Sequence, residues 1–76
     1  MSETTFDRVR TVVAACFQMP ESAVSLETSP LTVVAWDSMG HMTLVLALEQ
    51  EFGNYIEPED MERLLSVQDI VALLER

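Results

Sequence analysis

Apolar side chains recur at helical spacing in three stretches of the chain. In the first, Phe6, Val9, Val13, Cys16 and Phe17 share one face, with Val12 beside them and Arg8 and Arg10 outside the stripe. Thr4 and Asp7 fit a capping box at its start. Met19-Pro20 ends it, because a residue before proline is pushed out of helical geometry. These features predict a helix over residues 5–18, with Met1 to Glu3 frayed ahead of it. In the second stretch His41, Leu44, Val45, Leu48 and Phe52 follow i, i+3, i+4, i+7 and i+11, which predicts a helix over 38–52. Asp37 is its expected N-cap, with a carboxylate able to accept from the amides of Met39 and Gly40. Gly53 suits the left-handed position that stops it. In the third stretch Ser66 and Asp69 read as another capping box, and Val67, Ile70, Val71 and Leu74 form the stripe of a helix over 67–75. Between them, Pro58 fits the first position of a short helix over 58–64. Glu57 precedes it, and Glu59 and Asp60 fall in its first turn, where acids complement the helix dipole.

Residues 19–37 are left as one long connection, which needs anchors inside so small a domain. Val24, Leu26, Leu31 and Val34 are the expected anchors, dipping into the core. Thr32-Val33-Val34 is β-branched, but no second strand-like segment exists to pair with it. The expected fold is therefore all-α: a single domain over residues 1–76, built from three longer helices and one short one.

Charge narrows the possible partners. Thirteen acids against four arginines and no lysine give a net charge of −9, which disfavours nucleic acid and anionic membranes and favours basic protein surfaces. No apolar run approaches the ~20 residues that span a bilayer. The chain does not begin with a basic, apolar leader, and Cys16 has no internal partner, so a reduced, cytoplasmic setting is expected. One Cys and one His give no zinc spacing, and neither an EF-hand loop nor a Gly-rich phosphate loop is present, so no metal is expected. Nor is there a nucleophile elbow, and the single His41 lies on the same predicted helix as Ser38, so hydrolase chemistry has no support.

Ser38 is the candidate that remains. It would be the first residue of its helix, where unpaired amides and the dipole favour a negatively charged group such as a phosphodiester. Asp37-Ser38-Met39, followed by Leu44, Leu48, Glu49, Glu51 and Phe52, resembles the attachment site and second helix of an acyl carrier protein. Met39 replaces the leucine of the family's Asp-Ser-Leu pattern, and the resemblance runs from the helix near residue 5 to Arg76. It implies a four-helix bundle with a long loop between helices 1 and 2. It also implies that a phosphopantetheinyl transferase moves 4'-phosphopantetheine from coenzyme A onto Ser38. The arm would then hold acyl groups as thioesters for acyl-loading and acyl-processing enzymes. The chain would be a monomeric carrier and not an enzyme. Asp37 would contact the transferase as well as cap the helix.

Each of these residues also has a plainer role to weigh. Ser38 alone could be an ordinary helix-start serine. His41, at the edge of the core stripe, is expected to be a partly buried structural imidazole. Met39, Met42 and Leu46 form a second stripe, which is either extra core or, as the resemblance implies, an adaptable surface for partner enzymes; the partner surface is the expectation. The acids from Glu49 to Glu62, with Glu57, Glu59 and Asp60 at their centre, would keep the protein soluble and steer basic enzymes toward it. Fatty-acid carriers commonly have acids just after the serine, where this chain has Gly40 and Thr43. That leans toward polyketide-like or other specialised biosynthesis. The alternatives are an amino-acyl or peptidyl carrier, and an unmodified helical interaction module.

Overall fold

In a computed structural model, residues 4–76 are described; the expectation for Met1 to Glu3 lies outside them. Four α-helices follow one another: α1 (Thr5–Phe17), α2 (Ser38–Phe52), α3 (Pro58–Met61) and α4 (Val67–Leu74), with a single 3₁₀ turn at Glu21–Ala23. No strand occurs among the described residues, in agreement with the all-α expectation.

The helix ends follow from local hydrogen bonding. The α1 capping box is complete: Thr4 Oγ1 accepts from the Asp7 amide at 3.0 Å, and the Asp7 carboxylate accepts from the Thr4 amide at 3.3 Å. The helix stops one residue earlier than expected, because Gln18 takes the left-handed conformation, φ 53°. Asp37 caps α2 through Gly40 alone, at 2.8 Å, and not through Met39. Gly53 closes α2 at φ 68°, the region its missing Cβ opens. At α4 the box is displaced by one residue. Ser66 Oγ accepts from the Asp69 amide at 3.2 Å, but the Asp69 carboxylate accepts from Leu65. Pro58 begins α3 as expected, yet α3 ends at Met61 and not at residue 64. The chain turns there, and Leu64 beyond the turn is buried in the core.

Three of the four expected loop anchors are wrong. Val24 is buried, but Leu31 and Val34 are each 97% exposed and Leu26 is 43% exposed. The loop is folded by its own polar groups instead. Thr28 Oγ1 accepts from the Ser25 amide at 2.8 Å, and Thr32 Oγ1 accepts from the Ser29 amide at 3.1 Å. The amides of Thr32 and Val33 both reach the Ser29 carbonyl at 3.0 Å. These successive turns hold Thr28 and Ser29 inside and leave Leu31 and Val34 at the outer corners. Carbonyls of the loop also accept from the start of α4, Leu26 from Gln68 at 2.9 Å and Thr28 from Val67 at 2.8 Å. Two donors that α4 cannot satisfy internally are thereby paired, and the loop is tied down.

The core lies where α1 packs on α2 and α4. Val9, Val13, Leu44, Leu48, Val67 and Ile70 have no exposed surface. Trp36, at the end of the loop, is only 2% exposed and stacks on Phe17, with ring centroids 5.5 Å apart. The loop is thus delivered directly onto the first turn of α2.

Candidate functional site

The start of α2 is crowded on one side and open on the other. On the crowded side, a Cβ at Gly40 would overlap the carbonyl oxygen of Ala35 and come within 3.1 Å of the Phe17 ring. Gly40 is therefore required by the close approach of the loop, whatever it means for charge. Gly40→Ala should push the loop off the helix and lower stability by about 1–3 kcal/mol, the usual effect of overpacking. A thermal melt unchanged in this variant would show that the loop yields freely.

On the open side is Ser38. Its side chain is exposed, and neither its amide nor that of Met39 has a protein acceptor among the described residues. Gly40 donates to Asp37 Oδ1 and His41 donates to the Asp37 carbonyl at 2.7 Å, so the first two amides of α2 are the free ones. Beside Ser38 lies an open groove of about 520 Å³, lined by Trp36, His41, Met42, Met61 and Leu65 among others, with Asp37 and Glu62 at its edge.

His41 is half-buried, as expected of a structural imidazole. The Trp36 indole N–H, which can only donate, points to His41 Nδ1 at 2.8 Å. Nδ1 is therefore the acceptor, and Nε2 carries the proton donated to the Met61 carbonyl at 2.8 Å. One side chain so links the loop, α2 and α3. Sequence reasoning recognised His41 as structural but missed its partners. The only signal was an indole five residues upstream, and Met61 lies twenty residues away.

The second stripe of α2 is not core: Met39 is 82% exposed, Met42 50% and Leu46 54%. The acids divide into engaged and unengaged groups. Asp60 is half-buried and paired with Arg76 at 3.1 Å, Glu51 pairs with Arg8 at 3.2 Å, and Glu49 accepts from the Ile56 amide at 2.7 Å. Glu57, Glu59 and Glu62 are exposed and make no ion pair among the described residues. Cys16 lies away from Ser38, on α1, where burial pushes its thiol pKa up and leaves it a poor nucleophile at neutral pH. No group of His, Cys, Asp or Glu suited to a metal ion occurs among the described residues.

A family model described as a phosphopantetheine attachment site matches residues 7–74. The acyl carrier protein of Campylobacter hominis is 33% identical over 70 residues, covering 92% of this chain and 89% of that protein. That of Campylobacter concisus is 35% identical over 71 residues, covering 93% and 92%. That of Campylobacter jejuni subsp. doylei is 34% identical over 67 residues, covering 88% and 87%.

Proposed function

We propose, because this chain belongs to the acyl carrier protein family, that Ser38 is the residue bearing its phosphopantetheine and that the helical bundle presents the attached acyl group to successive enzymes. The cofactor of the family is covalent 4'-phosphopantetheine, and the start of α2 fits it. The observation that carries the assignment is the exposed Ser38 hydroxyl beside two free amides at the positive end of a fifteen-residue helix. Those amides and the dipole favour the phosphodiester charge. In the loading step the Ser38 oxygen bonds to the phosphorus carrying the pantetheine, the pyrophosphate linkage of coenzyme A breaks, and adenosine 3',5'-bisphosphate leaves. The hydroxyl proton passes to a base on the transferase. The arm supplies the thiol on which acyl groups are held as thioesters. The chain's own residues position and present, and they catalyse no step. A cytoplasmic setting, where thiols stay reduced, suits the unpaired Cys16.

Incubation with coenzyme A, magnesium and a broad-specificity phosphopantetheinyl transferase tests the assignment. One phosphopantetheine should be added, and peptide mapping should place it on Ser38. No mass gain with several transferases would leave an unmodified interaction module.

For partner enzymes, the exposed Met39, Met42 and Leu46 are the docking stripe, and the unengaged acids steer the approach. Of the two positions that lean toward polyketide-like or other specialised biosynthesis, Gly40 is dictated by Ala35, so the exposed Thr43 carries that preference. Exposed charges act over a Debye length of about 8 Å at physiological salt, while apolar burial is insensitive to such screening. Glu57→Gln with Glu59→Gln should therefore slow association with a cognate enzyme and flatten its salt dependence. Asp60 is left intact in this variant because it holds Arg76. Met42→Ala should speed dissociation with the salt dependence unchanged. Stopped-flow rates at two salt concentrations check both, and a Met42→Ala that instead destabilises the free protein would assign this stripe to the fold.

A further inference from the structure

The short helix beside Ser38 is weakly held, and on the side facing Ser38 it is fastened to α2 by His41. Four residues are too few for α3 to sustain itself. Its N-cap, Glu57, makes no side-chain cap, and no other helix packs on it as extensively as α2 and α4 pack on α1. It is suspended between two buried anchors, Ile56 before it and Leu64 after it. At its far end Glu49 holds the Ile56 amide, and within α3 the half-buried Asp60 pairs with the exposed Arg76 at the chain's last residue. At the Ser38 end, the hydrogen bond tying α3 to α2 is that from His41 Nε2 to the Met61 carbonyl, which otherwise receives only a long 3.4 Å contact from Leu64. His41 cannot easily turn away, because Trp36 both donates to its other nitrogen and lies nearly parallel to it, the ring planes 17° apart.

The same residues form the floor of the groove. Trp36, His41, Met61 and Leu64 line it, and Trp36 and Leu64 belong to the same buried cluster as Leu44, Leu48 and Ile70, which leave no surface exposed. An acyl chain passing inward from Ser38 would have to part α3 from α2 and break the His41 bond.

We propose that His41 is a latch that keeps α3 closed on α2, so that an acyl group carried at Ser38 lies in the open groove and is excluded from the helix interior. The inference rests on Ser38 as the attachment site. It is a specificity device: the cargo it suits is a short acyl group, whose apolar surface Met42, Met61 and Leu65 can cover while its carbonyl stays accessible to a partner enzyme.

The test is to load wild type and His41→Ala with acetyl-, butyryl- and octanoyl-phosphopantetheine, transferred whole from the acyl-coenzyme A. The readouts are the melting temperature and the indole N–H resonance of Trp36, the only tryptophan in the chain. The three wild-type forms should melt within about 2 °C of one another with the indole resonance unmoved, because no additional apolar surface leaves water for the core. Octanoyl His41→Ala should melt at least ~5 °C above its own acetyl form, since the opened interior can then take up the chain. Should His41→Ala not fold, His41→Leu replaces it, filling similar space but offering neither an acceptor to Trp36 nor a donor to Met61. A wild-type melting temperature that climbs with chain length, accompanied by a shifted indole resonance, overturns the latch. So does a latch variant that responds as wild type does. A wild type that accepts no arm at Ser38 overturns the attachment site itself, whereas one that accepts it and then gains stability with chain length overturns only the latch.

Discussion

Ser38→Ala should take up no phosphopantetheine and should melt close to the parent protein. The hydroxyl is exposed and makes no hydrogen bond among the described residues, so its removal strands nothing. The cap of α2 belongs to Asp37, whose bond to the Gly40 amide the substitution leaves in place. Alanine is also the best helix former, and the position is the first of a helix. Exposed substitutions of this kind stay within about 0.5 kcal/mol, which in a domain of this size is a shift of only ~2–4 °C. Intact-mass measurement after transferase treatment gives the loading, and circular dichroism gives the fold. A variant that loads would move the attachment site elsewhere. One that loses helicity would make Ser38 a structural residue, and its failure to load would then say nothing about chemistry.

The contrast between what was legible in the sequence and what was not has a physical origin. α1, α2 and α4 were readable because their stripes and caps are local: Thr4 with Asp7, Asp37 with Gly40, and Gly53 in the left-handed region all act within four residues. The loop is misleading in sequence because hydrophobicity alone does not decide burial. Leu31 and Val34 are apolar yet exposed, since the turns made by Ser29 and Thr32 decide which side chains face inward. Ser38, the proposed attachment residue, stands out through its family pattern, but its surroundings do not. The overlap that fixes Gly40 and the bond from His41 to Met61 depend on where the loop and α3 come to rest, which no local pattern encodes. The same limit applies to the acids: composition shows the run, but only the fold shows that Asp60 is engaged with Arg76 while Glu57 and Glu59 are not.

Leu48→Ala should have the largest effect on the fold. Leu48 is in the second half of α2, with no exposed surface, in the buried cluster that includes Val9 and Val13 of α1 and Ile70 of α4. Truncation removes buried methylenes and leaves a cavity that close-packed neighbours fill only in part, a loss of roughly 2–5 kcal/mol. A domain this small has a total stability of the order of 5 kcal/mol, so a large fraction of the variant should be unfolded at physiological temperature. The melting temperature should fall by about 10–25 °C. Leu46→Ala is the matched control, two residues away on the same helix but 54% exposed, and it should melt nearly as the parent does. Loading of Leu48→Ala should recover on cooling, in step with the folded fraction, because Asp37, Ser38 and the first turn of α2 are untouched. Equal melting temperatures for the two variants would mean that the faces of α2 have been exchanged, and Met39, Met42 and Leu46 would then belong to the core.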